Sequence, residues 1–148
     1  MKAVFISIRH QWCKLIAKGD KTIEVRKSEP KIGTPFKCYI YRCGKGGGMV
    51  VGEFLCDQIY YYSVGNVNGQ TITSDEMERQ SCLTRKELFD YENSAEAKEN
   101  CMSLVGLFGW HISSLIIYEN SKSLKDFGLN RPPQSWRYVD ELPKEGAK

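Results

Sequence analysis

The sequence has little of what most metal sites and catalytic triads require. It contains two histidines, His10 and His111, and its six cysteines form no CxxC pair. A structural zinc site takes four Cys or His ligands, commonly in closely spaced pairs. We therefore predict no metal and no cofactor. Two histidines also leave little scope for a Ser–His–Asp arrangement, and the chain order shows none.

Long apolar runs are also missing. No stretch approaches the ~20 consecutive apolar residues of a membrane span. The first twelve residues, MKAVFISIRHQW, lack the apolar region and the small-residue cleavage site of a signal peptide. We therefore expect a cytoplasmic protein with no membrane partner. In that compartment the six cysteines are expected to be reduced thiols.

The length of 148 residues and the absence of repeats or low-complexity linkers predict a single domain over 1–148. Net charge is only +3, but the charge is unevenly distributed. Residues 1–48 hold 11 Lys and Arg against 3 acidic residues, whereas residues 49–148 hold 10 against 15. A positive N-terminal third fits an anionic partner, and it equally fits a solvated basic face.

Hydrophobic periodicity organises the first part of the chain. Residues 3–8 (AVFISI) are a short apolar run typical of a strand. Apolar residues then recur at helical spacing over 10–18, and Gly19 is a natural helix stop. The period changes to two over 21–26, which predicts a half-buried strand.

Two further strands, 36–41 and 49–61, flank the glycine-rich sequence GKGGG at 44–48. A phosphate-binding loop would lead into a helix and end in Lys and then Ser or Thr. Because a strand follows here, we predict a hairpin turn instead.

The remainder mixes helical and strand patterns. Residues 74–91 are predicted to be helical, with Ser74 as N-cap and a capping box beginning at Thr84. Residues 104–118 form the last strong strand region, with a break expected at Gly109, and the tail is expected to pack back in extended form. Strands dominate and two or three helices are inserted, so the predicted class is α+β with a small mixed β-barrel.

The segment 7–27 concentrates residues that could hold a ligand. Glu24 and Arg26 are two apart and leave the same strand face, with Lys21 at the strand entrance. A glutamate between two cations stays ionised and can accept hydrogen bonds from the exocyclic amine of a base, while the cations contact phosphate or carbonyl oxygen. The alternative is a surface ion-pair network worth ~0–1 kcal/mol per pair. The residues alone leave both open.

Residues near the start of the first helix complete the candidate set. Ser7, Arg9 and His10 are expected where free backbone N–H groups favour an anion. In the tail, Trp136 could stack on a base or seal the end of the barrel. The predicted ligand-binding residues are Ser7, Arg9, His10, Lys21, Glu24, Arg26 and Trp136.

The stretch GDKTIEVRK resembles the GxKxxExR signature of the ASCH superfamily, a relative of the PUA domain. Its four signature positions correspond to Gly19, Lys21, Glu24 and Arg26. SIRHQW resembles the family's first strand and helix start, GWHISSLIIYE its closing strand, and SLKDFGLNRPPQSW the tail of phage and Firmicute-type members. The resemblance implies a PUA-like barrel, a basic cleft between its first helix and the barrel, and a helical insertion at about 62–100.

The superfamily is regarded as binding RNA, so the resemblance implies an RNA, nucleotide or modified-nucleoside ligand. Some small bacterial members hydrolyse N4-acetylcytidine with a Lys, a Thr and a Glu. Lys21 matches their lysine, Glu24 stands where they have threonine, and Ser81 or Glu87 could correspond to their glutamate. In an amidohydrolase, Lys21 would act as base or nucleophile and Glu24 as general acid/base. A third interpretation is a protein-interaction module that uses the acidic segment 74–99.

Overall fold

The computed structural model describes residues 1–45, 48–94 and 106–143. Its described part contains six strands, three α-helices and a short 3₁₀ helix at Leu124–Phe127. The strands are β1 (Lys2–Arg9), β2 (Ile23–Arg26), β3 (Phe36–Cys43), β4 (Met49–Tyr62), β5 (Leu107–Lys122) and β6 (Trp136–Asp140). The helices are α1 (His10–Lys18), α2 (Ser74–Ser81) and α3 (Arg85–Glu92).

The six strands form one sheet in the order β2-β5-β4-β3-β1-β6. β1 runs parallel to β3, and the other pairs are antiparallel. The register between β4 and β5 shifts at three places. Such irregularities bend strands and increase local twist, which suits a sheet curled into a half-barrel. The predicted α+β class and mixed barrel are confirmed.

Strand β1, which lies between β3 and the edge strand β6, is buried on both faces. Its even-numbered residues Val4, Ile6 and Ile8 belong to the main core inside the curl. Its odd-numbered residues Ala3 and Phe5 belong to a second core beneath the 3₁₀ helix. Burial on both sides explains why the sequence is a continuous apolar run instead of an alternating one. The end of β1 is therefore a fixed point from which α1 departs.

Helix α1 begins and ends where the sequence predicts. Gly19 adopts a left-handed φ of 86°, and its N–H donates to the Ile16 carbonyl, 3.0 Å away. The next two residues, Asp20 and Lys21, both donate their N–H groups to the carbonyl of Leu15. This cap turns the chain directly into β2 and fixes the position of Lys21.

The stretch predicted to be helical at 74–91 contains two helices, α2 and α3. Its first N-cap is Thr73 instead of Ser74, and Cys82 ends α2 with a φ of 62°. Thr84 then starts α3 with the predicted capping box. A third core lies between this helix pair and the sheet, and includes Ile23, Val25, Met77, Leu88 and Leu107. The helices therefore cover the edge strand β2.

The predicted break at Gly109 is wrong, because β5 runs through it from Leu107 to Lys122. A Cβ at Gly109 would lie 3.0 Å from both Ile23 Cγ2 and Met77 Cε. The glycine thus makes room for close packing. Residues 46–47 of the predicted turn, and 95–105 in the predicted loop and strand start, lie outside the described residues. Within the described ranges, no helix is long and apolar enough to cross a membrane.

Candidate ligand-binding cleft

Three charged side chains of the signature form one buried cluster. Lys21, Glu24 and Arg26 are only 2%, 6% and 9% exposed. Lys21 Nζ lies 3.5 Å from Glu24 Oε1, and Arg26 Nη2 lies 2.6 Å from Glu24 Oε2. The predicted convergence of the three side chains is confirmed, and the alternative of a surface ion-pair network is wrong because the network is buried.

Electrostatics fix the charge state of this cluster. Burial alone would raise the pKa of Glu24, but Arg26 and then Lys21 outweigh it, so the pKa of the carboxyl is lower than its ordinary value. One carboxylate therefore faces two cations, and the cluster carries a formal charge of +1. Removing an ion from water costs several kcal/mol even after relaxation. An anionic group placed beside the cluster would offset part of that cost.

Arg26 also closes the curled sheet. Its Nη2 donates to the Ser7 carbonyl at 2.7 Å, and its Nη1 donates to Ser135 Oγ at 3.0 Å. β2 and β6 are the two edges of the sheet, and Ser135 immediately precedes β6. Arg26 therefore ties one edge to the other, which gives it a structural task.

Lys21 is held by the helices instead. Its Nζ donates to the Ser81 carbonyl at 2.6 Å, at the last residue of α2. The ammonium also lies 5.0 Å from the centroid of the Trp12 ring on α1, a cation–π contact. The segment interpreted as an insertion thus contributes directly to the site.

An open cavity of about 770 Å³ lies over this cluster. Five predicted residues line it, namely Ser7, Arg9, Lys21, Glu24 and Arg26. The other lining residues are Trp12, Val25, Cys43, Leu83, Glu87, Asp90, Tyr91, Gln134 and Ser135. Glu87, Asp90 and Tyr91 are spaced by three and four along α3, so they share one helix face. This spacing could have indicated from the sequence that the three side chains line one surface. It lies, however, in the segment that the resemblance assigned to an insertion.

No protein-family model matches the sequence, and no curated protein matches it. Solved structures, however, match it over most of its length. The crystal structure of ASCH from Zymomonas mobilis is 17% identical, with a TM-score of 0.67, and the match covers 94% of this chain and 88% of that chain. A mutant form of that protein is 15% identical, with a TM-score of 0.67 and 94% and 89% coverage. The chain has the ASCH fold.

The ASCH fold accounts for the order of strands and helices along almost the whole chain, including the tail that returns to β1. It confirms the fold that the signature at Gly19, Lys21, Glu24 and Arg26 implied. At this level of identity the likeness establishes architecture, and the chemistry of the cleft rests on the side chains of this chain.

The cleft of this ASCH fold is not basic overall. Its described lining contains three cations and three carboxylates, namely Arg9, Lys21, Arg26, Glu24, Glu87 and Asp90. The carboxylates on α3 have partners of their own, since Glu87 accepts from the Thr84 N–H and Asp90 pairs with Lys86. Two of the three cations, Lys21 and Arg26, lie in the buried cluster on the floor, while Arg9 is exposed. The lining as a whole carries no excess of positive charge, so the predicted basic lining is wrong.

Of the predicted residues near the first helix, Ser7 lines the cleft and His10 does not. Ser7 lies within β1, as the strand prediction for 3–8 implied, and its Oγ donates to the Pro133 carbonyl at 2.7 Å and its N–H to the Ser135 carbonyl at 2.9 Å. His10 opens α1 but does not line the cleft, because its ring lies against Gly44. Its predicted place in the cleft is wrong.

Trp136 is not in the cleft either. Its ring packs edge-on against Trp110 at a centroid distance of 5.6 Å, and its Nε1 donates to Ser28 Oγ at 3.0 Å. The sequence left two roles open for Trp136, namely stacking on a base and sealing the end of the barrel. The packing on Trp110 matches the second role. The prediction that Trp136 lines the signature cleft is wrong.

Three of the described thiols, those of Cys13, Cys38 and Cys56, are buried. Burial raises the pKa of Cys13 and of Cys56 to about 12, and raises that of Cys38 well above its ordinary value. Among the residues described, no group of three His, Cys, Asp or Glu side chains is arranged to hold a metal ion.

Proposed function

We propose that this cleft binds a nucleotide unit, either free or within an RNA segment. The observation that carries the proposal is the buried Lys21–Glu24–Arg26 cluster, which carries a charge of +1 and forms the floor of a cavity of about 770 Å³. Ligand sites in proteins typically span about 300–1,000 Å³. A phosphate or carbonyl oxygen beside Lys21 would satisfy the surplus cation.

The carboxylate offers a complementary acceptor. Glu24 Oε2 accepts two hydrogen bonds from Arg26, at 3.0 and 2.6 Å. In the described part of the chain, Oε1 has only the 3.5 Å contact with Lys21. A carboxylate oxygen has two acceptor positions, so Oε1 retains capacity for the exocyclic amine of a base.

Aromatic side chains flank the cleft on its helical side. Trp12 on α1 and Tyr91 on α3 both line the cavity. Stacking of a base on an aromatic ring is worth about 1–3 kcal/mol. A ring, a cation and a carboxylate acceptor in one cavity are the groups that a nucleotide requires.

Glu87, one of the two candidate glutamates of the amidohydrolase alternative, lines the same cavity as Lys21, but the contacts of Lys21 do not favour that alternative. A lysine acting as base or nucleophile needs an available amine, whereas Lys21 Nζ donates to the Ser81 carbonyl and contacts Glu24. These contacts suit an ammonium that binds oxygen. The interaction-module alternative is also weakened. Its helices, α2 and α3, already form part of the cleft and pack over β2.

The decisive experiment is binding of nucleoside monophosphates and short RNAs by Lys21→Met, compared with the wild type. This variant leaves the Glu24–Arg26 pair neutral but removes the donor to the buried Ser81 carbonyl. We therefore expect it to fold with a stability lower by about 1–3 kcal/mol, and binding is compared well below its Tm. Affinity should fall at least about tenfold, since a hydrogen bond to a charged group contributes about 1.5–3 kcal/mol. Lys14→Met, which removes an exposed cation from α1, is the matched control. Equal affinity of Lys21→Met and the wild type would refute the proposal.

A further inference from the structure

A second concave surface lies beside the cleft, at the start of the tail strand. It is an open groove of about 540 Å³. We call it the arginine–aromatic groove, and it is lined by Arg131, Pro132, Pro133, Trp136, Arg137 and Tyr138. None of these residues lines the cleft of the proposed function.

The aromatic rings of the groove are held in place by the fold. Trp136 Nε1 donates to Ser28 Oγ at 3.0 Å, and the Trp136 ring meets Tyr138 edge-on at a centroid distance of 5.3 Å. Tyr138 Oη accepts the backbone N–H of Lys31 at 2.9 Å, while 37% of Tyr138 remains exposed. Because the rings are already ordered, a flat ligand can stack on them without the entropic cost of fixing them on binding.

The guanidinium groups of Arg131 and Arg137 are exposed, and within the described ranges neither guanidinium makes a hydrogen bond or an ion pair. Arg137 alternates with Trp136 and Tyr138 along the edge strand β6, so its side chain leaves the opposite face and borders the groove from the far side of the strand. By contrast, the exposed Arg79 and Arg85 are both paired with glutamates of α2. Arginine binds phosphate through two parallel donors and also stacks on rings. Free arginines beside fixed rings suit a base and its phosphate.

The groove and the cleft share a wall. Gln134 and Ser135 line the cleft, whereas their neighbours Pro133 and Trp136 line the groove. An extended chain spans at most about 3.6 Å per residue, so the three steps from Pro133 to Trp136 cover no more than about 11 Å. The wall is anchored, because Ser7 donates to the carbonyls of Pro133 and Ser135. A short strand of nucleic acid can cross such a wall.

We propose that the arginine–aromatic groove binds a second nucleotide of a single-stranded RNA whose neighbouring nucleotide occupies the cleft. The inference rests on the proposed function and deepens it, because it makes the ligand an oligonucleotide instead of a nucleoside. A base stacks on Trp136 or Tyr138, and the phosphodiester lies against Arg131 and Arg137.

The test compares the double variant Arg131→Gln/Arg137→Gln with Lys14→Gln/Lys125→Gln, which removes two exposed cations elsewhere. The probes are cytidine and adenosine monophosphates and a single-stranded RNA of about eight nucleotides. For the groove variant we expect RNA affinity to fall at least about tenfold. The slope of log affinity against log salt should shrink by about 0.7, the value for one lost phosphate contact on a single strand. Mononucleotide affinity should not change.

A third variant, Tyr138→Leu, tests stacking. It should weaken RNA binding without changing the salt slope, since no cation is lost. RNA binding by the arginine variant that equals that of the lysine control would overturn the groove and leave the cleft proposal intact. Loss of RNA binding in the arginine variant with no effect of Lys21→Met would overturn the two-site arrangement and the cleft together. If the wild type binds neither probe, both proposals fail.

Discussion

Replacing Glu24 by Gln should destabilise the protein strongly. The change keeps the size of the side chain but leaves Lys21 and Arg26 as two buried cations without a counter-charge. Removing one partner of a buried ion pair costs about 3–5 kcal/mol. Arg26 keeps its bonds to Ser7 and Ser135, and Lys21 keeps Ser81, so we expect the lower end, about 3 kcal/mol. For a domain of this size that lowers Tm by at least about 6 °C.

The assay is urea denaturation of the wild type and the variant over a range of pH. The pKa of Glu24 is lowered in the folded state, so the unfolded chain binds more protons between the two pKa values and stability rises with pH there. The contribution is fully present above the unfolded-state pKa of about 4.3. It is lost as pH falls through the folded-state value. The difference in unfolding free energy between wild type and Glu24→Gln should therefore shrink in acid.

The control is Asp140→Asn, which breaks the exposed pair between Asp140 and Lys2. Exposed pairs contribute less than about 1 kcal/mol, and no comparable loss is expected. A Glu24→Gln variant as stable as Asp140→Asn at neutral pH would refute the buried-charge reasoning. So would a difference in stability that stays constant from neutral pH down to acid.

Three further predictions concern the scaffold. Thr84→Ala removes the N-cap of α3 and should cost about 1 kcal/mol in urea denaturation; an unchanged midpoint would contradict the capping geometry. Gly52→Ala places a Cβ 2.5 Å from the Ile116 carbonyl oxygen, so overpacking should cost about 1–3 kcal/mol, and a Tm equal to that of the wild type would count against this packing. Cys13 and Cys56, with pKa values of about 12, should resist iodoacetamide at pH 8 in the folded state and react after denaturation. Mass spectrometry identifies the labelled thiols, and rapid labelling of either in the native protein would contradict their burial.

Local signals were sufficient for the N-terminal elements. The apolar spacing of 10–18 and the glycine at position 19 set both ends of α1, because a helix and its left-handed cap depend on neighbouring residues. The start of α3 was also signalled locally, by the capping box at Thr84, but the end of α2 was not. It lies at Cys82, whose Sγ donates to the Asp20 carbonyl, next to the Ser81 carbonyl that accepts from Lys21. These partners are about 60 residues away in sequence.

The same distinction holds for the candidate site. Its charged floor was predictable because Lys21, Glu24 and Arg26 belong to one short segment with strand periodicity. Its walls come from α3 and from the tail, and the bond from Arg26 to Ser135 joins residues 109 positions apart. His10 was placed in the cleft by its position at the start of the first helix, and Trp136 by its aromatic side chain in the tail. Packing against Gly44 and Trp110 decided their positions.

The charges of the signature residues distinguish a structural role, held by Arg26 and Glu24, from the proposed ligand-binding role of Lys21. Closing the sheet requires Arg26, and Glu24 neutralises it through Oε2 while Ser7 and Ser135 take its other donors. Lys21 adds a second buried cation that this closure does not need. Each buried ion costs several kcal/mol, and the bond from Lys21 to the Ser81 carbonyl offsets only part of that cost. The surplus charge lies on the cleft floor, where a ligand oxygen can reach it. Loss of binding and loss of stability should therefore separate more clearly at Lys21 than at Glu24, whose replacement leaves two buried cations without a counter-charge.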